Sequence, residues 1–102
     1  MPAYMMAFVR IENADAYYRD YASLAAPIVE KHGGKPMIRT ENIQTIEGAV
    51  PEGLLAMLEF PTIEQAQAFY ADPDYQPLIK VRQKYSTSDA VIFEKGFEPS
   101  DG

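Results

Sequence analysis

The sequence predicts an α+β fold of the ferredoxin-like βαββαβ type, an antiparallel sheet with its helices on one face. Three observations lead there. The stretch from Leu54 to Tyr75 packs an apolar strand, a helix start at Thr62 and a helix stop at Asp72-Pro73 into one short run. Apolar periodicity and turn residues order the whole chain as strand, helix, strand, strand, helix, strand. Two of the strands, residues 3 to 11 and 90 to 93, are apolar at both parities and so call for cover on both faces.

Taken in order, residues 3 to 11 place Tyr4, Met6 and Phe8 on one face and Met5, Ala7, Val9 and Ile11 on the other. Asn13 can cap a helix in which Tyr17, Tyr21, Leu24, Ala25 and Ile28 recur at helical spacing, and Gly33-Gly34 supplies its left-handed stop. Pro27 inside that pattern is expected to kink or split it. A second strand is expected from Lys35 to Glu47, with an irregularity near Glu41-Asn42, and a turn from Gly48 to Gly53. Leu54 to Phe60 form the third strand. The capping box of Thr62 and Gln65 opens a helix running to about Ala71, a second helical piece covers Tyr75 to about Tyr85, and a last strand runs from Asp89 to Lys95. Residues 1–95 read as one domain, and Gly96–Gly102 as a loose tail. Helices that cover only one sheet face leave the apolar residues of the other exposed, so a second copy of the chain is expected to cover it.

Composition narrows the function. Among 102 residues, nine Lys and Arg against fifteen Asp and Glu give a net charge of −6, which repels phosphate backbones and argues against a nucleic-acid partner. There is no cysteine, hence no disulfide, thiolate nucleophile or iron–sulfur cluster, and a reducing cytoplasm fits. The apolar start is too short to span a membrane, and no membrane partner is expected. One histidine and no carboxylate cluster of ligand spacing predict no metal and no haem; no phosphate-binding glycine loop is present, and no cofactor is expected.

The residues His32-Gly33-Gly34, Glu47-Gly48, Glu59-Phe60-Pro61, Phe69-Tyr70, Asp74-Tyr75-Gln76-Pro77-Leu78 and Arg82 occur in the order and spacing of a known set. In them the chain resembles uncharacterised-domain family 1330, small members of the dimeric α+β-barrel superfamily, over roughly Ala3 to Glu94. The resemblance implies a ferredoxin-like protomer and a face-to-face dimer, and it implies no particular reaction. Relatives in the superfamily include cofactor-independent monooxygenases, isomerases and ligand binders. The family often carries Trp where this chain has Phe69, the residue to which a substrate-stacking role carries over.

Read as a helix, Tyr75, Leu78, Ile79 and Arg82 fall at i, i+3, i+4 and i+7, which puts the Arg82 guanidinium on an apolar stripe where a cation needs a partner. Arg82 then holds a substrate carboxylate or enolate, oriented by Glu59 or Tyr75; the structural alternative is an Arg82–Glu59 ion pair, or an arginine whose head reaches water. His32 ends the first helix and is the best general acid or base on offer, its structural alternative being a cap whose ring binds the last carbonyls. Asp72-Pro73-Asp74 reads as a helix stop followed by a new cap. Several of the seven tyrosines could line a pocket suited to a small aromatic or enolic ligand. The sequence thus predicts a homodimer with a small pocket in each protomer, binding a small organic acid or carrying out cofactor-independent acid–base chemistry on it. In the catalytic form His32 or Glu59 is the base, Arg82 the anion holder and Tyr75 the orienting hydroxyl. In the other form the protein is a non-catalytic binding or structural module.

Overall fold

The computed structural model describes residues 1–97; of the tail expected from Gly96, residues 98 to 102 lie outside the described residues. The elements are β1 (Ala3–Ile11), α1 (Ala14–Tyr17), a wide π turn (Tyr18–Ala22), α2 (Ser23–Lys31), β2 (Lys35–Thr40), β3 (Leu54–Phe60), α3 (Ile63–Ala71), α4 (Gln76–Tyr85) and β4 (Ser86–Glu94). All strand pairs are antiparallel and the sheet order is β2-β3-β1-β4, the expected ferredoxin-like arrangement.

Local chemistry explains most boundaries. The Asn13 side chain accepts from the Ala16 N–H at 3.1 Å and starts α1. Thr62 Oγ1 accepts from the Gln65 N–H at 3.2 Å and starts α3, but the reciprocal half of the capping box is absent. Gln65 instead accepts from the Thr62 hydroxyl and donates through Nε2 to the His32 carbonyl at 3.2 Å, tying the end of α2 to the start of α3. Gly33 has φ +78, the left-handed conformation that ends α2, while its own N–H and that of Gly34 return to the Glu30 and Val29 carbonyls. Gly34 must be glycine for a different reason: a Cβ there would lie 2.6 Å from the Phe60 ring.

Three expectations are corrected. The expected break does not fall at Pro27: α2 runs through it from Ser23 to Lys31, and the helical stretch is interrupted earlier, at the π turn Tyr18–Ala22. Pro27 has no N–H for the Ser23 carbonyl, and the π turn lies just upstream, with the Ser23 N–H returning to the Tyr18 carbonyl. β2 stops at Thr40, where the Asn42 N–H bonds Thr40 Oγ1 at 3.0 Å, and its irregularity lies between Pro36 and Ile38, not at Glu41-Asn42. Pro36 cannot donate to the ladder, so an edge strand with a bulge beside it is the tolerated outcome. β4 starts at Ser86, three residues before Asp89, because β1 is long enough to pair Ile11 with Ser86 and because the Ser86 hydroxyl is anchored on the Arg82 carbonyl.

The helices cover one face of the sheet. Met5 and Phe60 pack there with Ala25, Val29, Ala66, Phe69, Tyr75 and Leu78, and Val9 and Leu54 pack with Tyr17. By strand alternation the other face carries Tyr4, Met6, Phe8, Leu55, Val91 and Phe93. Among the described residues no helix lies over it: Val91 is 53% exposed and Phe93 37%, with the Phe93 ring 5.6 Å from that of Tyr4. Among the described residues no helix is long and apolar enough to cross a membrane.

Candidate functional site

Between the helix layer and the sheet lies a cavity of about 520 Å³. Met5, Ala7, Val9, Leu54 and Ala56 form its floor; Tyr17, Tyr21, Ala22, Ala25, Ala26 and Val29 form its roof, where alanines leave room above the sheet. Glu30 and Arg39 stand at its rim, with the Arg39 guanidinium 4.6 Å from the centre of the Tyr18 ring. A mostly apolar enclosure with a few convergent polar groups is the usual form of a small-molecule site.

The polar groups come from two elements. Tyr75 precedes α4, held by its N–H on the Asp72 carbonyl at 2.9 Å, and Arg82 follows seven residues later on the same face. Arg82 Nη1 donates to the Tyr75 hydroxyl at 3.0 Å, and that hydroxyl lies 2.7 Å from the hydroxyl of Tyr21, which the π turn delivers from the other side. Tyr75 is 1% exposed and its ring stacks on Phe69 at 4.3 Å between centroids. Arg82 is buried, forms no ion pair with a carboxylate among the described residues, and its Nε has no hydrogen-bond partner. Burial works against the Arg82 charge while its contacts with Tyr75, Tyr70 and Tyr21 work for it, and the guanidinium, whose affinity for its proton is the highest of any side chain, stays charged. The neighbouring phenols do not neutralise it. Burial raises the Tyr75 hydroxyl far above the usual phenol range and pushes Tyr17 up to about 12, so both keep their protons at neutral pH. The result at the cavity wall is a buried positive charge with no carboxylate beside it among the described residues.

The residues singled out from the sequence divide accordingly. Arg82 and Tyr75 meet at the cavity wall, as their helical spacing implies. Phe69 is in the core behind Tyr75, 1% exposed, and supports the ring without lining the cavity. Glu59 shares the parity of Leu55 and so lies on the opposite face of the sheet, where it pairs with the cross-strand neighbour Lys35 at 3.5 Å; it neither orients Arg82 nor pairs with it. His32 also stands outside the cavity. Its ring does not bind the last carbonyls of α2: Nε2 lies 2.7 Å from Asp72 Oδ2, 40 residues away in sequence. Asp72 is the residue whose role the sequence understates. Besides stopping α3 it takes the His32 ring, the Lys31 ammonium at 3.0 Å and the Asp74 N–H at 2.8 Å. The His32 bond first, then the Asp74 N–H and Lys31, hold its carboxyl well below the usual carboxylate range. Tyr21, the third member of the buried row, was visible only as one tyrosine in the helical stripe Tyr17–Tyr21–Leu24, a pattern that marks a buried face and not a hydroxyl's partner.

An antiparallel sheet of order β2-β3-β1-β4 with helices on one face defines the class: the fold is the ferredoxin-like α+β fold. A protein of unknown function from Rhodopseudomonas palustris shares it with TM-score 0.74 and 22% identity, covering 96% of this chain and 84% of that one. SnoaB from Streptomyces nogalater, a cofactor-independent oxygenase, shares it with TM-score 0.65 and 12% identity over 96% of each chain. Residues 2–96 match the family described as domain of unknown function DUF1330, and the chain belongs to that family. No functionally curated protein matches it.

Proposed function

We propose that the cavity receives a small organic acid as its anion, in a homodimer joined through the open faces of the two sheets. One observation carries the ligand: Arg82 is a buried cation with no carboxylate partner among the described residues. Such a charge is expensive unless something negative joins it, and the apolar cavity beside it is where that partner would enter. Open apolar strands support the dimer. The likeness to SnoaB, a cofactor-independent oxygenase, supports a site that works without a cofactor. His32 and Glu59 lie outside the cavity, and that position favours binding without turnover over general-base catalysis by either.

The test is a stability screen of small aromatic and aliphatic acids against wild type and Arg82→Met. The wild type gains melting temperature with the right acids. Arg82→Met, which exchanges a costly buried charge for an apolar chain of similar length, is expected to melt no lower than wild type and possess no response to those acids. A large loss of stability in Arg82→Met, with no acid shifting the wild type, would show that the cation is structural.

A further inference from the structure

The hydrogen-bond row at the cavity wall has a direction. Arginine can only donate, so the Tyr75 oxygen accepts from Arg82 Nη1. Tyr75 is 1% exposed, so its hydroxyl proton needs an acceptor; among the described residues the Tyr21 oxygen at 2.7 Å is the one in reach. Tyr75 therefore donates to Tyr21, and the O–H of Tyr21 is left to donate into the cavity that Tyr21 lines. Each link polarises the next, so the terminal hydroxyl presents part of the Arg82 charge, while the guanidinium stands at the cavity wall with its carbon 5.9 Å from the centre of the Tyr21 ring.

That arrangement selects among acids. A carboxylate is best held by the bidentate fork of an arginine. Here the fork is not offered: Nη1 is engaged with Tyr75 and Nε is sealed from solvent, which removes a member from each pair of parallel donors. One hydroxyl suits one oxygen. A ring or conjugated system that spreads the charge of that oxygen is also cheaper to bury against Met5, Val9, Leu54 and Ala25 than a compact carboxylate.

Building on the reading of the cavity as an organic-acid site, we infer that its ligand is a phenol or enol bound as the oxygen anion, that oxygen accepting from Tyr21 at the end of an Arg82–Tyr75–Tyr21 relay. The ligand's proton leaves to bulk water as the anion binds, so binding releases a proton wherever the free ligand is still protonated. No redox partner enters this step.

Two probes of one shape distinguish the cases: para-nitrophenol, whose phenolate absorbs visibly, and para-nitrobenzoate. With wild-type protein in excess the phenol's pKa is expected to fall by about one unit or more, as for a group facing an opposite charge. Para-nitrobenzoate is expected to bind at least about tenfold more weakly than the phenolate. Tyr21→Phe and its companion Tyr75→Phe, which cuts the relay one link earlier, are expected to return the phenol's pKa toward its value in water, each variant being checked for a native melting curve. A lowered pKa that persists in both variants overturns the relay. Tighter binding of the carboxylate, lost in Arg82→Met, overturns the phenol or enol assignment and leaves the organic-acid reading standing. Failure of both probes to bind overturns the two together.

Discussion

Asp72 is 5% exposed and gathers a histidine, a lysine and a backbone N–H from two separate helix ends. Its carboxyl is depressed in the folded protein, so by linkage it stabilises the fold fully above its ordinary value near 3.8, and that contribution drains away as pH falls below it. Melting curves followed from neutral pH to pH 3 should show a steeper acid loss for wild type than for Asp72→Asn, whose amide oxygen can still accept from Asp74 but carries no charge. Equal slopes would remove Asp72 as the acid-sensitive group. This contact was not legible in the sequence, because His32 and Asp72 each have a sufficient local reason to sit at a helix terminus and nothing in spacing says that the two termini meet. Arg82 and Tyr75 were legible, since seven residues on one helix fix their common face. Glu59 misleads for a physical reason: both faces of β3 are apolar, so parity says which residues lie together and not which face the helices cover.

At the scale of elements, the sequence reads best where a single side chain decides. Asn13, Thr62 and Gly33 each satisfy or release a helix end and stand where expected. Thr62→Ala should therefore cost about 1 kcal/mol, measured by chemical denaturation, and should also loosen the end of α2, because Gln65 would lose the hydroxyl that holds its amide toward the His32 carbonyl. A change near zero would mean that α3 is held by packing alone. The π turn reads worst. Nothing in Tyr18–Ala22 forbids an ordinary helix, and the wider turn sits between Tyr17 and Tyr21, whose packing only the assembled core imposes. The short β2 is similar: the sequence shows Pro36, but the position of the bulge depends on the register against β3.

For the whole molecule, the sheet has one face under helices and one face bare. If two copies meet there, the interface should exceed roughly 1,200 Å², and sedimentation should show a dimer at micromolar concentration. Val91→Asp, placing a charge on that face at a 53%-exposed position of the edge strand β4, should shift the protein to monomer without entering the cavity. A wild type that sediments as a monomer would sink the dimer. Strand β1 gives the arrangement a further property. It presents Met5, Ala7 and Val9 to the cavity and Tyr4, Met6 and Phe8 to the bare face, alternately along one backbone. A guest in the cavity and a partner on the bare face thus press on opposite sides of the same nine residues. Whatever factor the guest adds to self-association, self-association must return to the guest, so a measured affinity would drift with protein concentration wherever the two events communicate through that strand.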